Sequence, residues 1–177
     1  MSMEKYNKIH FIGIGGISMS SLAEILKSKG KTITGSDGVA SNVTKALENI
    51  GIQVSIGQKA ENITPDTDLI VYTAAVREDN PELMAARASG IETVDRAALV
   101  GMMMLEYKFP LSVAGTHGKT TTSSLVTEIF LEAKANPTVS IGGILPSIKG
   151  NYKVGGEDYF ILETCEYCDS FLKFNPH

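Results

Sequence analysis

Lys119 and Thr120 lie in the stretch VAGTHGKTTTSS, residues 113–124, where a glycine, a lysine and hydroxyl side chains fall together. That combination suits a polyphosphate: backbone amides wrap phosphate oxygens, the lysine reaches the terminal phosphates, and the first hydroxyl binds Mg²⁺. The usual spacing, GxxxxGK[ST], would put a glycine at position 113, which is Val113; the first glycine is Gly115, so the loop is two residues tighter. Gly115, Thr116, His117, Gly118, Lys119, Thr120 and Thr121 are the candidate ATP-binding residues. A purely structural Gly-Lys-Thr turn is the competing reading, and His117 either touches nucleotide or projects to solvent.

A second glycine turn, GIGGIS at residues 13–18, follows an apolar run and opens a helical pattern. In that context Gly13, Gly15 and Gly16 let backbone amides approach an anion, and the helix start adds partial positive charge, so a diphosphate is the natural ligand. Ser18 stands at the third fingerprint position, where Gly or Ala is usual. Glycines that serve only strand-to-helix packing are the alternative. Asp37, about 20 residues on, is placed to accept a ribose hydroxyl or to form an Asx turn; the residues leave both open. This turn alone would suggest a nicotinamide dehydrogenase, and the second loop argues against it. Glu163 and Glu166 sit at and beyond the end of the run YFILE, where a carboxylate can hold the Mg²⁺ of bound ATP or simply face water. Cys165 and Cys168 form a lone CxxC, too little for a zinc site.

Alternating strand and helix patterns must position these groups. Residues 8–14, 31–37, 52–57, 67–75 and 91–94 read as strands, and residues 17–29, 42–51, 81–90 and 96–106 as helices. A parallel, doubly wound Rossmann-like sheet over residues 1–107 follows, because parallel neighbours need crossover connections. EYKFP, residues 106–110, reads as a linker. A fresh strand (111–114), the glycine loop and a long helix to about residue 134 then open a P-loop ATPase-type α/β domain over residues 108–177. Two or three strands are expected there, with a surface hairpin or loop at 146–156 and a buried strand at 158–163. The domain reads as incomplete, with an exposed sheet edge near residues 159–162, disorder beyond about residue 145, or pairing of two copies into a homodimer of the fragment.

The 177 residues are 43% hydrophobic and 20% charged with net charge −4, which suits a globular chain and gives no electrostatic footprint for nucleic acid or an anionic membrane. The longest apolar run, residues 97–105, is far short of the roughly 20 residues a spanning helix needs, and the start MSMEKYNK lacks a signal-peptide core. A cytoplasmic chain is expected.

Six segments, FIGIGGISMSSLAEIL, GSD, TAAVREDNPEL, AGTHGKTTT, NPTVSIGG and ILETCEYCDSFL, resemble the Mur ligases of peptidoglycan synthesis, in that family's order and over nearly the whole chain. The shortened glycine loop is the form this family uses for ATP. The resemblance is strongest to the member that adds the first amino acid, and implies ATP and Mg²⁺ as cofactors and UDP-N-acetylmuramate and L-alanine as substrates. It implies that Gly13, Gly15, Gly16 and Ser18 cradle the diphosphate, that Asp37 and Thr73 help hold the sugar nucleotide, that Lys119 binds the β- and γ-phosphates, and that Thr120 and Glu163 hold the metal. Cys165 stands where the family pattern EADESDxSF has an aspartate. A murein tripeptide ligase, and a stand-alone UDP-sugar or NAD binding module, remain alternatives. Because the family's amino-acid site lies further downstream, the 177-residue chain by itself is expected to release no phosphate from ATP with Mg²⁺, UDP-N-acetylmuramate and L-alanine. Alanine-dependent release in a coupled phosphate assay would overturn that expectation.

Overall fold

The computed structural model describes residues 3–163, and these pack as two compact units, Glu4–Leu99 and the residues from Val100 onward together with Met3. The Glu166, Cys165 and Cys168 readings lie outside the described residues.

In the first unit, β1 (Lys8–Ile12), β2 (Thr32–Asp37), β3 (Gln53–Ile56), β4 (Leu69–Tyr72) and β5 (Glu92–Asp95) form an all-parallel sheet in the order β3-β2-β1-β4-β5. Central β1 is buried from Ile9 to Ile12 on both faces, which is why it reads as a run that is apolar except for His10 rather than an alternating one. Each crossover carries a helix with a local reason to start or stop. α1 (Ile17–Ser28) buries Leu22, Ala23, Ile25 and Leu26. α2 (Asn42–Asn49) begins with a reciprocal capping box between Ser41 and Thr44. α3 (Pro81–Ala88) has proline at its first position, and the Asn80 side chain accepts from the amides of Glu82 and Leu83. α4 (Arg96–Met104) follows β5 directly, and the division between units falls inside it.

The strand order reverses about β1, so the loops leaving β1 and β4 diverge and open a crevice at the carboxyl ends of the strands. One close approach shapes its floor. The turn after β1 folds onto β2, where Gly13 and Ile14 both donate their amides to the Ser36 carbonyl, at 2.8 and 2.9 Å. Gly35 makes this possible: a Cβ there would lie 2.7 Å from Ile14 Cδ1 and 2.8 Å from the Phe11 carbonyl oxygen.

The second unit contains β6 (Phe109–Val113), α5 (Lys119–Glu132), β7 (Thr138–Leu145), β8 (Gly150–Lys153) and β9 (Tyr159–Glu163), with sheet order β6-β9-β7-β8. Strands β6, β9 and β7 are parallel, and β8 returns antiparallel to β7 through a hairpin. Val139, Ile141, Leu145 and Ile161 form its buried cluster, with Val126 and Phe130 of α5 packed against it.

Three expectations are corrected here. The unit has four strands among the described residues where two or three were expected: β9 is the buried strand expected at 158–163, and β8 adds an ordered strand within the expected hairpin, so the alternative of disorder beyond residue 145 does not hold for 146–163. The stretch read as a linker ends inside a strand, since Phe109 and Pro110 pair with Tyr159 and Phe160; among the described residues β6 has only β9 as neighbour, and such an edge tolerates proline. The supposed open edge at residues 159–162 is interior, because β9 is bonded on one side to β6 and on the other to β7, so a second copy has no free ladder to pair with there.

Gly35→Ala should destabilise the first unit by about 1–3 kcal/mol, the usual cost of forcing an extra methyl into a packed interior, read as a lower denaturant midpoint at unchanged slope.

Candidate functional site

The crevice of the first unit is a cleft of about 580 Å³ lined by glycines 13 and 16, Asp37 and Thr73, and by the segment from Ala75 to Pro81. Four of the six residues expected to bind a sugar nucleotide therefore meet in one place. Gly13 and Thr73 touch directly: a Cβ on Gly13 would lie 2.6 Å from Thr73 Cγ2. Gly16 caps α1 with no side chain bonded over the helix start, leaving that end accessible to an anion.

Asp37 forms the Asx turn and also holds the glycine turn. Its Oδ1 accepts from the Val39 amide at 3.2 Å, an Asx turn, while its Oδ2 accepts from the Gly15 amide at 2.9 Å. Gly15 thus stands beside the cleft with its amide turned to Asp37. Ser18, on the first turn of α1, accepts a 2.9 Å hydrogen bond from Arg96 Nη1. Arg96 was not anticipated. Its sequence signal was a cation immediately after the last strand of the sheet, where α/β folds gather ligand groups. Gln58, Arg77, Asp79 and Asn80 also line the cleft. On the wall carrying them, Arg77 pairs with Asp79 at 3.0 Å. Arg87 hydrogen-bonds Glu78, which holds the Glu78 carboxyl below the ordinary carboxylate range and raises the guanidinium in turn. Both pairs are exposed and contribute little to stability.

The second site lies in the other unit, where β6 leads through the glycine loop into α5. Lys119 is the first residue of α5 and donates from Nζ to the Gly115 carbonyl at 2.6 Å. Thr120 follows, and its hydroxyl donates to Glu163 Oε1 at 3.0 Å. Register explains this meeting: β6 and β9 run in parallel with Val113 opposite Glu163, so the acid ends its strand where the glycine loop begins. Glu163 Oε2 accepts from the Gly142 amide at 2.9 Å. A hydroxyl and a carboxylate in contact beside a lysine fit Mg²⁺, which keeps several waters and shares phosphate oxygens rather than needing an all-protein cage. Thr116, His117, Gly118 and Thr121 are exposed on or next to the loop, so His117 projects toward solvent.

The glycine pair in β7 is the other feature left unassigned by sequence reasoning. A Cβ on Gly142 would come within 3.0 Å of both Glu163 carboxylate oxygens, and one on Gly143 within 2.9 Å of Thr120 Cγ2. Two adjacent glycines inside a strand are the signal that another group approaches closely.

Residues 8–108 match the family model described as "Mur ligase family, catalytic domain". The chain is 58% identical over 168 residues to a UDP-N-acetylmuramate--L-alanine ligase of Agathobacter rectalis, covering 95% of this chain and 37% of that protein. It is similar to the crystal structure of the UDP-N-acetylmuramate-alanine ligase of Thermotoga maritima, with a TM-score of 0.86 and 37% identity, over 96% of this chain and 39% of that one. A UDP-N-acetylmuramate:L-alanyl-gamma-D-glutamyl-meso-diaminopimelate ligase from Neisseria gives a TM-score of 0.83 at 28% identity, over 92% of this chain and 53% of that one. The chain thus spans well under half the length of the curated relative.

Gly143→Ala should push the Thr120 side chain off Glu163 and weaken binding of ATP with Mg²⁺ by about ten- to a hundredfold, as loss of a group that orients a metal ligand does. Gly150→Ala, where an added Cβ meets nothing closer than 3.9 Å, should leave it unchanged in the same titration.

Proposed function

The chain belongs to the Mur ligase family, and on that premise we propose that it forms part of a cytoplasmic ATP-dependent ligase of peptidoglycan synthesis joining L-alanine to the carboxylate of UDP-N-acetylmuramate. In this reading residues 1–107 bind the sugar nucleotide and residues 108–177 begin the ATP-binding domain. The observation that carries it is the contact of Thr120 with Glu163 beside Lys119, an arrangement suited to phosphate and metal, in a chain whose first unit also holds a cleft at the carboxyl ends of its strands.

The chemistry is an amide synthesis driven by ATP. The sugar carboxylate takes the γ-phosphoryl group to give an acyl phosphate and ADP; the amine of L-alanine then attacks the acyl carbon, forms the amide and expels phosphate. Phosphoryl transfer depends mainly on positioning and charge stabilisation. Lys119 gives up the Gly115 carbonyl to face the β- and γ-phosphates, while amides from Gly115 to Thr121 and the start of α5 surround them. Thr120 and Glu163 would hold Mg²⁺, which would supply neutralising charge to the transferring group. In the cleft, Gly13, Gly15, Gly16 and Ser18 take the diphosphate, with Asp37 and Thr73 on the nucleoside and sugar, and Arg96 supplies a cation next to Ser18.

The peptide-adding reading has one support, the likeness to the Neisseria ligase, and the higher identity to alanine ligases favours the first reading. Calorimetry with UDP-N-acetylmuramate and NAD run side by side tests the cleft: the sugar nucleotide should bind, and tight NAD binding with no heat from millimolar UDP-N-acetylmuramate would sink the ligase reading. In the complete enzyme, Lys119→Ala should lower turnover by at least about a hundredfold, as removal of a preorganised electrostatic group does; near-normal turnover would mean the loop is misassigned.

A further inference from the structure

Beneath the cleft lies a buried polar network that the proposed chemistry does not use. Glu82, in the first turn of α3, is completely buried. Its Oε1 lies 2.7 Å from His10 Nε2, and its Oε2 accepts from the Ser36 hydroxyl at 2.6 Å. His10, 3% exposed, extends the network through Nδ1 to the Thr34 hydroxyl at 2.8 Å. The participants come from β1, β2 and α3, and Glu82 is 72 residues from His10 in sequence.

A buried carboxylate is a poor means of gaining stability, since removing it from water costs much of what its partners return, and well-packed apolar groups often do as well. What such a network does supply is a fixed geometry, and both of its ends reach the cleft. At one end, Ser36 uses its hydroxyl on Glu82 and its carbonyl on the amides of Gly13 and Ile14, the turn that forms one wall. At the other, the amide of Glu82 donates to Asn80 Oδ1, and Asn80 Nδ2 donates to Gln58 at 2.7 Å. Asn80, Gln58 and Gly13 all line the cleft.

We propose that Glu82 is a positioning residue for the ligand cleft: by gripping Ser36 and His10 it fixes the first turn of α3, and the 73–80 wall leading into it, against the glycine turn held by the same Ser36. The identity of the ligand rests on the sugar-nucleotide reading above; the positioning itself does not.

Three variants of this chain separate the possibilities. Ser36→Ala removes one hydroxyl and cuts the link between the walls. Glu82→Leu removes the whole grip. Glu82→Gln keeps it, because with the His10 proton on Nδ1 the glutamine amide can donate to Nε2 while its carbonyl still accepts from Ser36. Amide exchange measured without ligand, well below the melting temperature, should accelerate by about tenfold in Ser36→Ala, from loss of one buried partner, at residues 13–18 and 73–80 and not in α2 or β3. Calorimetry should show UDP-N-acetylmuramate binding weakened by about tenfold in Ser36→Ala and Glu82→Leu and restored to within about threefold in Glu82→Gln. Should Glu82→Leu fail to fold, Ser36→Ala against Glu82→Gln carries the comparison. Unchanged exchange in Ser36→Ala, or equal acceleration across the whole unit, would overturn the proposal. Faster exchange confined to the two walls, with no UDP-N-acetylmuramate binding even in the parent, would uphold it and reject the sugar-nucleotide reading instead.

Discussion

Two backbone amides, Gly13 and Ile14, share one carbonyl acceptor, Ser36, and the cleft of the first unit is built outward from that bond pair. It bends the chain back over β2 at the point where the sheet order reverses. The bend sets where α1 starts, and so where its unsatisfied amides lie. It also brings Gly15 within reach of Asp37 and depends in turn on the missing side chain at Gly35. A backbone carbonyl offers two lone pairs in a fixed plane, so a turn hung on it is less free to drift than one held by a long side chain.

Much of the architecture was legible in the sequence, and the parts that were not share a cause. Every strand and helix of the first unit was anticipated within a few residues, since glycines at 30, 51 and 90 and the proline at 81 mark the ends locally. Phe109 and Pro110 were not, because proline argues against a strand unless the strand is known to lie at an edge, and edge status is a tertiary fact. The position of β9 between β6 and β7 was missed for the same reason: chain order carries no direct record of spatial order, and the last strand in sequence was taken for the outermost.

The sites divide similarly. Gly13, Gly16 and Asp37, found from local motifs, and Thr73, implied by the family resemblance alone, do gather at one cleft; Lys119, Thr120 and Glu163 gather at the second site, with Thr120 and Glu163 in contact across 43 positions. The groups that were overlooked act through distant partners. Arg96 meets Ser18 across 78 positions, and His10 looked like one polar residue in an apolar strand. The Gly142 and Gly143 pair was visible but carried no assignment, since its meaning lies in which side chains come close to it.

Each glycine loop has one group already partnered at rest: Asp37 occupies the Gly15 amide and Lys119 the Gly115 carbonyl. An anion that takes the Gly15 amide or the Lys119 ammonium therefore displaces a partner within the protein. Asp37 adds a sign to this exchange. A sugar hydroxyl can replace the amide as its donor, whereas a phosphate brought to the same carboxylate meets like charge in a confined space. On the proposed sugar-nucleotide reading, the resting hydrogen bond would therefore sort the two ends of the ligand, the hydroxyl-bearing end to Asp37 and the phosphates to the helix start.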